Sequence, residues 1–298
     1  MCSSDLMNML PNRPEFEEAR KGLLKIPDND ELFAQTVDGA YVVTGFAMTG
    51  GETTEAPPAI KAGFAENGDR AAPYLPAYAG AMKVLSKIEN KVAGNGALNA
   101  IPESDGVYRR IPMFMTLNDK IYPSLVAESL RVAQDASTFI IQAVGASGEE
   151  GFGETGLVSF KVGGVKVPTD ENGQIWVRFT GDIPERYVPA WKLLAGKAPI
   201  DKLEGHIVLI GTSAAAMKDL RATPLDPAAA GVSLHAEALE TILTGNFLNR
   251  PDFAHGLEVV ASFLLGLLLI WLLPKWGSVW CAVLTLVAII GVVRDRKS

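Results

Sequence analysis

Residues 205–251 read GHIVLIGTSAAAMKDLRATPLDPAAAGVSLHAEALETILTGNFLNRP, and the order of signals within them decides the fold. His206 to Gly211 is apolar, β-branched and closed by glycine, the pattern of a buried strand. Small residues from Thr212 to Ala216 turn the chain. Gly231-Val232-Ser233 then opens a helix that reaches Leu243 and is closed by Gly245. Strand, turn and helix in that order predict an α/β domain.

Upstream, the same alternation continues more loosely. Ala40 to Gly45 is a β-branched run ending in glycine and reads as a strand. Gly50 to Pro58 is a loop by composition, and Pro73 and Pro76 break the stretch that follows. Lys83 to Lys91 is a short helix before Gly94-Asn95-Gly96. The Asp105-Gly106 pair marks a turn into Val107–Ile111, which alternates as a strand does. Pro123-Ser124 opens a clear helix with Leu125, Ala127, Leu130 and Ala133 facing inward. Gly145 to Gly156 is a glycine-rich loop and a candidate subdomain boundary. Leu157 to Val167 is a hairpin around Gly163-Gly164, Ile175 to Phe179 a strand, and Trp191 to Leu194 a short helix. An amphipathic arm, PEFEEARKGLLKI, precedes all of this, with Phe16, Leu23 and Leu24 available to dock. No internal repeat is present. The fold class is α/β: a mixed sheet with flanking helices.

Downstream stand two apolar runs, Gly256–Leu273 with one carboxylate, Glu258, and Gly277–Val293 with no charge. A bilayer core takes about 20 apolar helical residues, with a lower limit near 17, so both runs are adequate spans. Pro274-Lys275-Trp276-Gly277 between them is a tight turn with an interfacial aromatic. A transmembrane helical hairpin is therefore expected, in preference to a buried hairpin in a soluble core. Its position rules out a cleaved signal peptide. Arg294, Arg296 and Lys297 after the second run place that end in the cytoplasm by the positive-inside rule. Two spans alone would put the large body there too. Both ends read as cut, and a further span at each would reverse that orientation.

The chain carries 27 Lys and Arg against 34 Asp and Glu, a net charge of −7. With no basic stripe, nucleic acid is not an expected partner. Its two cysteines are Cys2 and Cys281, so the body has neither a disulfide framework nor a cysteine zinc site. Ile210-Gly211-Thr212-Ser213 resembles a phosphate-binding junction, but neither GxGxxG nor GxxxxGK[ST] is present. It reads as a structural turn, and no cofactor is expected. Ser213, Asp219 and His235 could form a hydrolytic trio, yet GxSxG is missing and such trios arise by chance. No catalytic residue is assigned. His206, His235 and His255 lack paired spacing, so no metal site is expected. Arg109 and Arg110 are adjacent on a strand and point to opposite faces, so at most one can enter a pocket. Arginine can grip a carboxylate or phosphate, but an ion pair with Asp105 or another acid is the favoured reading. Arg109, Arg110, Asp219 and His235 are the ligand-binding candidates.

DGVYRRIPMF (105–114), YPSLVAESLRV (122–132) and the 205–251 block, followed by apolar runs, together resemble the second CHASE-type sensory domain, cyclase- and histidine-kinase-associated sensing extracellular. Within the last block the strand, small-residue turn, Asp219, Thr223-Pro224, Gly231-Val232, His235-Ala236 and Phe247-Leu248 appear in order. The resemblance covers roughly Pro27 to Arg250. It divides the chain into an arm (1–26), a sensory domain (27–250), two spans (256–273 and 277–293) and a tail (294–298). It implies a bacterial receptor in the inner membrane, with the large domain extracytoplasmic and a class III adenylate or guanylate cyclase, or a kinase, as output. The first span, third span and output domain of the family pattern are not in this sequence, so no enzyme activity is expected of the chain itself. The implied partners are the lipid bilayer, an unknown small-molecule or protein cue, and a second copy in a homodimer. The competing readings are a membrane-anchored periplasmic hydrolase using Ser213 or His235, and a non-sensing scaffold or assembly subunit.

Overall fold

The computed structural model describes residues 11, 13–23, 27–145, 156–181, 183–212, 219–248, 256–268 and 270–271. The chain divides into two compact units, Met1–Leu248 and Asn249–Ser298. In the first, the helices are α1 (Glu17–Leu23), α2 (Asn29–Val37), α3 (Ser86–Glu89), α4 (Leu125–Ala133), α5 (Ala190–Leu194) and α6 (Gly231–Thr244). The strands of its first half are β1 (Val43–Thr49), β2 (Gly63–Asn67), β3 (Ala77–Tyr78), β4 (Gly80–Met82), β5 (Gly94–Ala97) and β6 (Arg110–Pro112). Then come β7 (Phe114–Leu117), β8 (Lys120–Pro123), β9 (Thr138–Ala143), β10 (Leu157–Val162), β11 (Val165–Pro168) and β12 (Gln174–Trp176). Two short strands close the series, β13 (Leu220–Arg221) and β14 (Ala229–Ala230).

Parallel and antiparallel pairings are mixed, as expected of the α/β class. β1 lies between antiparallel β4 and parallel β5. β2 runs parallel to β9, which continues antiparallel through β10 to β11. β7 joins parallel β3 to antiparallel β8, and β6 pairs with β12. The β10–β11 turn falls at Gly163-Gly164 as read from sequence, with Gly163 at φ +51°.

Packing explains the least strand-like stretch of all, Gly94-Asn95-Gly96-Ala97. β5 is buried along its whole length beneath α4. A Cβ on Gly96 would sit 2.4 Å from the Leu125 Cα and 2.7 Å from its nitrogen, so only glycine lets the helix backbone approach. Ser124 caps α4 by accepting the Ala127 N–H at 3.2 Å. The helix is covered on nearly every side, burying Val126, Ala127, Leu130 and Val132 as well as Glu128 and Arg131. Of the four inward positions expected, Ala127 and Leu130 are buried, Leu125 is half-buried and Ala133 exposed. Beside it, Phe64, Phe114, Phe139 and Phe160 interlock with centroid distances from 5.0 to 6.2 Å, mostly edge to face, the favoured arrangement for aromatic quadrupoles.

One expected strand does not form. His206 to Gly211 has no ladder partner among the described residues. Ile207 and Leu209 pack on the core, while Val208 is 51% and Ile210 95% exposed. Period-2 geometry turns alternate residues outward, and nothing described covers that outer side. Conversely, β2 and β9 arise where the sequence reading has no strand. α5 forms as expected, yet none of its residues is buried. Leu24, most of the Gly145–Gly156 loop and the second apolar run lie outside the described residues. The first run is helical over 256–268 and at 270–271. Among the described residues no helix is long and apolar enough to cross a membrane.

Substituting Gly96→Val should lower the unfolding free energy by about 1–3 kcal/mol or more, the usual cost of overpacking. Gly50→Ala, where an added Cβ meets nothing within 4 Å, should stay within about 0.5 kcal/mol. Urea titration of the chain in mild detergent, followed by circular dichroism, measures both.

Candidate functional site

Arg109 and Arg110 are engaged by acids of their own chain. The Asp105-Gly106 turn, in which Asp105 accepts the Val107 N–H at 3.0 Å, brings its carboxylate back to the Arg109 guanidinium at 2.8 and 3.1 Å. Glu103 accepts from Arg109 at 3.0 Å. The Arg109 hydrogen bond holds the Asp105 carboxyl below its ordinary range, helped by the Val107 N–H. Arg109 precedes β6, and the two guanidiniums converge on Glu103 instead of pointing to opposite faces as strand alternation predicts. Arg110 donates to Asp170 at 3.1 Å, lies 3.4 Å from Glu103, and stacks 4.9 Å from the Trp176 ring centroid. The register that pairs Arg110 with Trp176 across β6 and β12 sets this contact. Burial pushes the Asp170 carboxyl up against the pull of the Gln174 N–H and Arg110.

Asp219 and His235 meet at the start of α6. The Asp219 carbonyl accepts the Gly231 N–H at 2.9 Å, and a Cβ on Gly231 would fall 2.4 Å from the Asp219 carboxylate. Glycine there lets the carboxylate rest on the first helical turn, where unpaired N–H groups and the helix dipole favour an anion. Ala230 at the cap supplies no side-chain bond of its own. Arg221, a residue the sequence reading does not single out, pairs with Asp219 at 3.3 Å and reaches the Tyr108 hydroxyl at 3.2 Å. Its guanidinium also sits 5.5 Å from the Tyr108 ring centroid. The Tyr108 N–H donates to the Ala222 carbonyl at 2.8 Å, so the Arg109 segment runs beside β13 and the candidates occupy neighbouring ground.

His235 follows Asp219's contact point by one turn of α6 and is 6% exposed. Burial depresses its pKa to about 4; Asp219 and the Leu98 backbone pull it upward and Arg221 downward. Its Nδ1 has no hydrogen-bond partner among the described residues. The imidazole is therefore a neutral packing group at ordinary pH. Ser213 lies outside the described residues. Among those described, no hydroxyl or thiol is hydrogen-bonded to a histidine, and no three His, Cys, Asp or Glu converge as a metal site would need.

A cleft of about 260 Å³ opens beside α6, lined by Gly181, Tyr187, Leu225, Asp226, Ala229 and Glu237 among others. None of the four sequence candidates lines it. Glu237 accepts the Thr180 N–H at 3.0 Å, and burial pushes its carboxyl up while that bond and Arg186 draw it down. Arg186 directs both Nη groups onto Glu240, at 2.8 and 2.7 Å. Helical spacing alone would leave Glu237 on a solvent face. Only the approach of the 178–187 segment makes it a wall.

The CHASE2 domain profile matches residues 7–290, most of the chain, and the protein belongs to that family of sensory domains. No curated protein and no solved structure matches it.

The unfolded chain protonates His235 near pH 6.5 and the folded one near 4, so its contribution is complete above 6.5 and is lost as pH falls toward 4. Between pH 6.5 and 5 the loss should be about 2 kcal/mol. Urea titrations across that range should show the slope, flattened in His235→Gln.

Proposed function

We propose that this chain is the extracytoplasmic sensor portion of a bacterial transmembrane signalling receptor, feeding a class III adenylate or guanylate cyclase or a kinase. The observation that carries this reading is the extent of the family match, which runs from residue 7 to residue 290. It takes in the folded body, the first apolar run and the second as far as Ile290, and a sensory body followed by spans is the arrangement a receptor needs. The runs lie in the inner membrane in this reading, and the cue acts on the body outside it.

The route from cue to membrane is α6. Its first turns carry the Asp219 contact, His235 and the cleft residue Glu237. Its far end stops at Gly245, whose φ of +67° closes the helix. Residues 245–255 then lead into the first apolar run. Phe247, two residues beyond that stop, packs against the main core. A cue that binds one position of this helix better than another shifts the population between them.

In a receptor carrying this domain and its output, deletion of residues 27–250 should abolish the response of cyclase or kinase activity to stimulus while the output domain still folds. Stimulus-dependent activity that survives the deletion would refute the sensor assignment.

A further inference from the structure

The described lining of the cleft beside α6 carries negative charge, from Asp226 and Glu237. None of the described lining residues is Lys, Arg or His, so an anionic ligand would meet two carboxylates and no countercharge among them. The hydroxyls of Ser233 and Thr223 are already engaged with backbone. Ser233 donates to the Ala230 carbonyl at 2.6 Å, and Thr223 donates to the Asp226 carbonyl at 3.0 Å. Asp226 in turn accepts the Ala228 N–H at 2.8 Å.

Glu237 differs from these groups. One of its oxygens takes the Thr180 N–H, and the other accepts no hydrogen bond from a described residue. No described cation lies within ion-pair distance of it, because Arg186 is held by Glu240. Burial of this half-buried carboxylate pushes its titration upward more than the Thr180 N–H and the nearby Arg186 draw it down, so its desolvation is only partly offset. A donor cation entering the cleft would remove that cost. Leu225, the Ala228–Ala230 run and the Tyr187 ring give the rest of the wall an apolar and aromatic character suited to a carbon chain and to a cation beside an aromatic face. A bare metal ion fits poorly, since hard cations require six or more oxygen ligands. The volume is below the range usual for drug-sized ligands, which limits the carbon skeleton to a few atoms.

We propose that this cleft binds a small alkylammonium ligand, the ammonium on Glu237 and the carbon chain against Leu225 and Tyr187. The assignment rests on the sensor reading, for which it names the class of cue.

Thermal unfolding and calorimetry of the full chain in mild detergent test it, with n-butylammonium chloride as probe and sodium butyrate as its anionic counterpart of similar shape. Butylammonium should raise the unfolding temperature in a saturable way and butyrate should not. Glu237→Gln, which keeps the shape and removes the charge, should weaken butylammonium binding about tenfold or more, as loss of a charge-assisted hydrogen bond does. Equal effects of the two probes on the parent chain, or an unweakened affinity in Glu237→Gln, would overturn the proposal. Should that variant fail to fold, the comparison of probes on the parent chain decides alone. Binding without any change in receptor output would overturn the assignment of this ligand class as the cue and leave both the site and the sensor reading standing. Absence of binding would sink the site and leave the sensor reading standing.

Discussion

The body depends on an ion pair placed where no water reaches. Glu128 is fully buried on α4, and Arg131 grips it with bonds of 2.7 and 2.9 Å. The same guanidinium donates to the carbonyls of Ala93 and Ala136, at 2.9 and 2.8 Å. One side chain thus ties the entry to β5 to the end of α4 and the approach to β9. A buried pair is costly to desolvate and is tolerated only when its remaining donors and acceptors are satisfied. Those two backbone bonds meet the condition. Room for the carboxylate comes from Gly94, where an added Cβ would lie 2.5 Å from a Glu128 oxygen. Helix, glycine strand and ion pair therefore require one another.

Local signals made about half of this architecture readable. The Gly163-Gly164 hairpin, the Pro123-Ser124 helix start and the Gly245 stop are each set by residues within a turn of the feature. β5 was not readable, because GNGA looks like a loop until the helix that needs its missing side chains is placed above it. β2 and β9 form a parallel pair in which Gly63 meets Thr138. No short-range pattern announces a partner at that separation. His206–Gly211 errs in the opposite direction. Its apolar content promised burial on both faces, and the chain supplies cover for one.

The same distinction applies to the site. Arg109 and Arg110 were visible as a charged pair, and Asp105 as a neighbour that could neutralise one of them. Glu103, in the same turn as Asp105, and Asp170, from a distant loop, complete the network. Asp219 and His235 belong to one block of sequence; Arg221 between them pairs with Asp219, while burial above all sets the state of His235. Glu237 was invisible because its importance comes from Thr180 and Tyr187, brought over α6 by a segment far away in sequence.

Membrane anchorage with an outward-facing body is the claim on which the receptor account stands. The direct measurement is protease treatment of intact spheroplasts expressing the full-length receptor, paired with alkaline carbonate extraction of their membranes. The account predicts that the protein stays with the pelleted membranes and that its body is digested from outside without lysis. Release into the carbonate supernatant, or protection of the body until the cells are broken, would contradict it.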